Sequence, residues 1–471
     1  MPQEPTHGTD GTSSKSITFE LVKEDLKKGA LKLYQLHKKY IEHFRTKTRS
    51  VEKQSFQYLH AKFLEEGRGD MVSYANKVPD CNNQRLQHFI THSPWDERPV
   101  IRQIQTEAID LIGDERNGSL HVDESAFLKD GKDSVGVQRQ YCGRFGKVDN
   151  CQVGVFLGYV NDNRRILLDE RLFLPTAWID DQKRREKCGI PDHITFKTKV
   201  ELAWDMILDA KNHSIPFGWV GMDCFYGRAS ELRKKIDDED MIYIADIPFD
   251  TRVWLERPKT AIPKKKGRRG RKPTIERVVE GEPAPIEVAT LATDLDPSSY
   301  ECIYLRDTER KELRSPMACL RVFPVHDTLP GKECWLIIRK DPGTKTRYQL
   351  SNAPPTTTIE RLGQLSCSRY WIERAFEDAK GEVGMADYQV RSWRSWHHHM
   401  ALTFLAMLYL LILSLDWGER APLMTVQDTK DILVEILPRK QLTPDELLER
   451  IKEKHRARNS ARQSHHRRNK S

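Results

Sequence analysis

Apolar positions recur at helical spacing through the first quarter of the chain. Over residues 26–49, Leu33, Leu36, Tyr40 and Phe44 fall near one stripe among many Lys and Arg, which predicts a basic helix. The spacing continues over residues 51–112 through Phe56, Leu59, Phe63 and Leu64, then Leu86, Phe89 and Ile90, and, after Ser93-Pro94, Ile101, Ile104, Ala108 and Ile112. A small all-helical domain is expected there. The period then falls to two. Residues 119–123, 151–160 and 165–174 alternate or run apolar between Gly, Asn and Asp turns, as three antiparallel strands would. Residues 196–211 place Val200, Ala203, Trp204, Ile207 and Leu208 on one helix face, and 217–223, 230–236 and 241–247 read as strand, short helix and strand. The order β-β-β-α-β-α-β needs a crossover before the fourth strand, so a mixed α/β sheet with flanking helices is predicted.

From 249 to 355 helical spacing disappears, and strand-like runs at 301–305, 318–325 and 334–339 predict a β-rich insertion. Helix returns over 358–380 and 396–415, and Thr443-Pro444-Asp445-Glu446 forms a capping box that starts a last helix. The expected organisation is a flexible start and basic helix (1–50), a helical domain (51–115), a first part of the mixed α/β core (116–248), the insertion (249–356), a second part of the core (357–418), and a helical region ending in a basic tail (419–471).

The length of 471 residues suits two to four folding units. Net charge is +8, but residues 450–471 hold nine Lys/Arg against Glu453 alone, which leaves 68 bases against 68 acids elsewhere. The basic excess is therefore local to the tail. Residues 1–16 are polar and unlike a signal peptide, and the apolar run at 400–415, 14 of 16 residues, is shorter than the ~20 that span a bilayer. Nine cysteines without a Cys-x2-Cys pair suggest neither a disulfide framework nor a zinc ribbon, so a cytoplasmic protein in a reducing compartment is expected, with no membrane partner and no small-molecule substrate.

The chemistry lies in the acids. Asp123 closes the first predicted strand and Asp223 the fourth; if those strands pair, the two carboxylates stand side by side, and Glu373 could join them from the returning helix. Three converging carboxylates suit Mg²⁺, and two such ions ~3.5–4 Å apart stabilise both the attacking and the leaving oxygen of a phosphoryl displacement. At about 100° per residue, Arg369, Glu373 and Lys380 share a stripe, with Leu365, Ile372, Phe376 and Ala379 beside it. Arg369 and Lys380 could then hold phosphate around a metal-bound Glu373. The plainer alternative makes Arg369, Glu373 and Glu377 ordinary i,i+4 surface pairs.

Four stretches, LHVDESAFLKDGKDSVGVQRQYCGRFGKVDNCQVGVF (120–156), DERLFLPTAW (169–178), VGMDCFYG (220–227) and RYWIERAFEDAKGEVGMADYQVRSW (369–393), resemble the bacterial insertion-sequence transposases of the DDE superfamily. The resemblance spans roughly residues 50–415. It implies an RNase H-like core, a catalytic and metal-binding triad of Asp123, Asp223 and Glu373, and two Mg²⁺ ions for which Mn²⁺ may substitute. It further implies double-stranded DNA as partner, both element ends and target, and a homodimeric synaptic complex at the bacterial nucleoid. One branch carries a β-strand insertion and a Tyr-x2-Arg-x3-Glu-x6-Lys helix; Arg369, Glu373 and Lys380 keep that spacing, whereas Ser366 stands at the Tyr position, with Tyr370 as a substitute. Members of that branch stack a flipped base on a Trp of the insertion, and Trp254 and Trp335 are the candidates, against the plainer role of core packing.

Other constellations are weaker. Lys264, Lys265, Lys266, Arg268, Arg269 and Arg271 form a basic loop that could enter a narrow minor groove or simply be solvated. Arg391 and Arg394 alternate with Trp393 and Trp396 as a strand-binding surface could, although two Trp ahead of an apolar helix more often pack. His397, His398 and His399 point in different directions on a helix and do not form one metal site. The expected function is a transposase that binds its element's ends, hydrolyses the terminal phosphodiesters and joins the 3′ ends to target DNA. The alternatives are an inactive DNA-binding descendant and a metal-dependent nuclease that does not join strands.

Overall fold

Residues 19–468 are described by a computed structural model, except 47–48, 68, 144–145, 265–271, 308–311, 342 and 344. The calls on residues 1–16, Lys265, Lys266, Arg268, Arg269 and Arg271 lie outside the described residues. Five helices open the fold: α1 (Lys23–Lys39), α2 (Glu52–Leu64), α3 (Met71–Lys77), α4 (Asn83–Thr91) and α5 (Glu97–Ile112). Asp70, Asn82 and Asp96 cap the last three by accepting a backbone N–H of the first turn. The basic helix expected over 26–49 ends instead at Lys39, and the chain tightens into a 3₁₀ turn, Ile41–Phe44. That turn drives Phe44 edge-on against Phe89 and Trp95, so the predicted stripe is buried in full.

The sheet starts with β1 (Ser119–Leu128), β2 (Gln138–Cys142), β3 (Lys147–Asn161) and β4 (Arg164–Leu172). β1 runs five residues beyond the expected end at Asp123, because Ser125 and Phe127 continue the buried alternation and pairing with β3 continues to Cys151. β2 escaped the pattern since QRQYC has little apolar alternation; the hairpin with β3 fixes it. The crossover consists of α6 (Thr176–Ile179), α7 (Gln182–Cys188) and α8 (Lys199–Asn212), capped by Thr198 and Glu201 acting reciprocally. After it come β5 (Trp219–Met222), α9 (Cys224–Gly227), α10 (Ser230–Asp238) and β6 (Tyr243–Ile247). β5 lies parallel to both β1 and β6, as the crossover demands, and β1 lies antiparallel to β3, which gives the RNase H-like mixed sheet.

Apart from one two-stranded ribbon, the strands of the insertion do not form a sheet of their own. After β7 (Arg252–Trp254) come short ribbons β8 (Thr260–Ala261), β9 (Arg277–Val278) and β10 (Ile286–Glu287), then α11 (Val288–Asp294), β11 (Glu301–Asp307), β12 (Glu312–His326), β13 (Leu329–Pro330), β14 (Cys334–Arg339) and β15 (Arg347–Ser351). β15 pairs antiparallel with β6, so the core sheet continues through β14, β12 and β7 into 13 strands.

The helix expected over 358–380 is two, α12 (Ile359–Cys367) and α13 (Arg369–Gly381), separated at Ser368. α13 packs on β3, β4 and β1, and Gly158 of β3 leaves the space that Ile372 fills. α14 (Trp393–Gly418) is the one helix among the described residues long and apolar enough to cross a membrane, and most of its apolar stretch is buried inside the fold against α2, α5 and β4. α15 (Val426–Ile436) and α16 (Pro444–Arg468) follow. Thr443 and Glu446 cap α16 reciprocally as predicted, and the helix continues through the stretch read as a basic tail, its described side chains solvent-exposed or nearly so. All nine cysteines are unpaired.

Candidate active site

The site grows from the strand register. Val122 of β1 is level with Met222 of β5, and Met222 with Ala245 of β6. The next residue on each strand is an aspartate, so Asp123, Asp223 and Asp246 form a row across three parallel strands. Asp223 caps α9, its Oδ1 accepting from the N–H groups of Phe225 and Tyr226 at 3.0 and 3.0 Å. Asp123 Oδ1 accepts from the Glu124 N–H at 2.7 Å. Burial and the neighbouring Asp223 charge push the Asp123 carboxyl up to about 7, and burial raises Asp223 as well, against the amides of Tyr226 and Phe225 and the Arg369 charge. Below the row His121 is buried and held neutral, its ring lowered to about 3 by burial and by Arg369.

α13 crosses this row with Ile372, Phe376 and Ala379 buried, as its periodicity predicted. Arg369 reaches down from its first turn. One guanidinium nitrogen, Nη1, donates to Asp246 Oδ2 at 3.1 Å, and Nη2 lies 2.9 Å from Glu373 Oε1. Burial opposes its charge, yet Asp123, Asp246, Glu373 and Asp223 together hold it above the ordinary range. The surface-pair reading is thus half right: the i,i+4 contact with Glu373 exists, but Arg369 is bound into the sheet's acidic row. Glu377 pairs with Arg374 at 2.5 Å and takes no part in the site. Lys380 is half-buried, its ammonium 5.3 Å from the Phe376 ring centre.

Sequence reasoning missed Asp246 and its partner Gln349, whose Nε2 donates to Asp246 Oδ1 at 2.6 Å. The signal was present in Ile244-Ala245-Asp246, the same apolar-run-then-Asp pattern as Val122-Asp123 and Met222-Asp223. The other candidate residues do not gather at this site. Trp254 is buried with its Nε1 on the Pro283 carbonyl, which leaves no face for a base. Trp335 is partly exposed, with the Arg321 guanidinium 4.9 Å from its ring centre. Ser366 is buried and receives an Arg339 N–H at 2.8 Å, so it does not act as a surface phosphate contact; Tyr370 is exposed beneath Arg306, 3.9 Å away. Trp396 is buried on Tyr388 and Trp393 rests on His397, which leaves Arg391 and Arg394 as the exposed members of that group, while Lys264 is exposed at the edge of the basic loop. The three histidines bond separately, to Glu170, to the Ile90 and Trp95 carbonyls, and to Tyr58 and Met385.

Among the described residues, the group whose ligand atoms come closest is Glu231, His326 and Asp327, largely exposed between α10 and the end of β12. In the acidic row Glu373 is turned to Arg369. The row nevertheless suits a hard cation, since its donors are all oxygen and the half-buried carboxylates of Asp123 and Asp223 repel each other until a positive charge compensates them. Asp123 and Asp223 would hold a divalent ion, with Glu373 as third donor, and the ion would activate a water and neutralise phosphate charge.

A mixed sheet with a row of acidic residues at one level of its parallel strands, crossed by a Glu-bearing helix, suits metal-assisted phosphodiester chemistry. The chain belongs to the DDE superfamily endonucleases, whose family model matches residues 39–311 and so includes Asp123 and Asp223. It is also 25% identical over 350 residues, 72% of this chain and 77% of the relative, to a probable transposase for insertion sequence element IS701 of Microchaete diplosiphon. The family implies use of a divalent metal.

Proposed function

We propose that this protein is a transposase that binds the ends of its own mobile element, cleaves them by hydrolysis with Mg²⁺, and joins the freed 3′ ends to target DNA. The observation that carries this reading is the register that sets Asp123 beside Asp223 under an α13 carrying Arg369 and Glu373. In this reading the two aspartates and Glu373 hold the ions, for which Mn²⁺ can substitute, and Arg369 and Lys380 steady the scissile phosphate. Gln84, Arg85, Gln87 and His88, exposed on α4, together with Lys264 and the exposed bases of α16, hold duplex DNA. Trp335 is the remaining candidate for stacking an unpaired base. Two ends cut in concert require a dimeric synaptic complex, formed at the bacterial nucleoid.

The test is incubation of the protein with end-labelled candidate element ends, a target duplex and Mg²⁺, followed by denaturing electrophoresis. Discrete cuts at the element termini with longer, joined products support transposition. Cuts without joined products reduce the activity to a nuclease, and binding without cuts reduces it to a DNA-binding protein.

A further inference from the structure

Asp246 stands in the same row as Asp123 and Asp223, but its oxygens are differently engaged. Both receive side-chain donors: Oδ1 the Gln349 amide at 2.6 Å and Oδ2 the Arg369 guanidinium at 3.1 Å. The bonds recorded at the Asp123 and Asp223 carboxylates come from backbone N–H groups. Gln349 is buried and also donates to the Ser366 carbonyl at 3.3 Å, so β15 of the insertion fixes Asp246 and the end of α12 together. Arg339 of β14 donates to the same carbonyl at 3.0 Å and to the Ser366 hydroxyl at 2.8 Å. The insertion thereby clamps the residues immediately ahead of Arg369.

In this arrangement Arg369 supplies positive charge to four carboxylates and occupies Glu373 at 2.9 Å. A cation bound by Asp123, Asp223 and Glu373 competes with the guanidinium for the Glu373 carboxylate and draws it away from Arg369. That exchange is favourable only if Arg369 keeps another anionic partner.

We propose that Asp246 is a positioning residue: with Gln349 it holds Arg369 by one edge, so that the other edge can leave Glu373 when a divalent ion binds and turn to phosphate. The inference rests on the reading of Asp123, Asp223 and Glu373 as the ion's holders.

The experiment is Mn²⁺ binding to the full-length protein without DNA, read by loss of the free-ion electron paramagnetic resonance signal, for the wild type, Asp246→Asn, Arg369→Gln and the double variant. Asp246→Asn should weaken Mn²⁺ about tenfold, because Arg369 then has Glu373 as its nearest remaining partner and competes with the ion. Arg369→Gln should tighten it. In the Arg369→Gln background the Asp246 substitution should matter less than about twofold, because its action passes through the arginine. Equal weakening in both backgrounds would make Asp246 a metal ligand and overturn the proposal, as would unchanged binding by Asp246→Asn in the wild-type background. Gln349→Met, which leaves every charge in place, should weaken Mn²⁺ in the same direction and serves if Asp246→Asn does not fold. Asp223→Asn separates the two levels: if it binds Mn²⁺ like the wild type, the metal reading itself fails and the positioning role with it; if it loses Mn²⁺ while Asp246→Asn does not, the positioning role alone fails.

Discussion

Two carboxylates set level by a parallel strand pair repel each other, and Asp123 shows the consequence. Its carboxyl is raised from the ordinary range to about 7, first by burial and then by Asp223. A group raised on folding contributes stability below its unfolded value, and that contribution is lost as pH climbs through the folded value. In metal-free protein, Asp123→Asn should therefore match the wild type near pH 4 and exceed it by about 1–2 kcal/mol at pH 8, measured by thermal melts in EDTA. A variant less stable than the wild type at pH 8 would contradict the repulsion. The level placing of Asp123 and Asp223 was legible in the sequence because each follows an apolar run, Leu120-His121-Val122 and Val220-Gly221-Met222, although β1 itself continues past Asp123 to Leu128. Asp246 was not, although Ile244-Ala245-Asp246 has the same form, because its meaning lies in the registers of β5 on β1 and β6 on β5, which no local pattern carries.

Among the elements, the division of the predicted 358–380 helix at Ser368 is what aims Arg369 at the sheet. Periodicity found the buried face of α13 but not the break, since helical spacing persists on both sides and the interruption is held by tertiary bonds from Arg339. Replacing that buried side chain, Arg339→Met, removes its bonds to the Ser366 carbonyl and hydroxyl and its ion pair with Asp341, leaving the carbonyl to Gln349 and Asp341 to the more distant Arg347. It should cost about 3 kcal/mol in denaturant unfolding and lower cleavage, while a loss below about 0.5 kcal/mol would deny it the clamping role. α16 is the other element that differs from expectation. A helix with no buried face depends on its cap, its side-chain ion pairs or a partner, and its bases suit the phosphate backbone. Deleting 457–471 removes about half of that helix and takes Arg458, Arg462, Arg467, Arg468 and Lys470 from the chain. Affinity for specific and random DNA should fall alike, and the slope of log affinity against log salt should become shallower by up to about 4. An unchanged slope would leave α16 as solvated helix.

Across the whole molecule, the alternation of helical and strand periods was sufficient for the mixed α/β class, for the chain order of the core strands other than β2 and for a β-rich insertion. It did not reveal that β15 joins β6 and turns core and insertion into one sheet, because strand partners far apart in sequence leave no local trace. That continuity gives the insertion a mechanical role: β14 and β15 carry Arg339 and Gln349 to the helix break and the acidic row. The central claim is that Asp123, Asp223 and Glu373 together perform metal-dependent cleavage of DNA ends. Its most direct test is cutting of end-labelled element DNA with Mg²⁺ by Asp123→Asn, Asp223→Asn and Glu373→Gln, with Glu377→Gln as control and end binding measured alongside by gel shift. Each of the first three should bind ends nearly as the wild type does and cut none of them, while Glu377→Gln, whose carboxylate pairs with Arg374, should keep most activity. Robust cutting by Asp223→Asn would contradict the account.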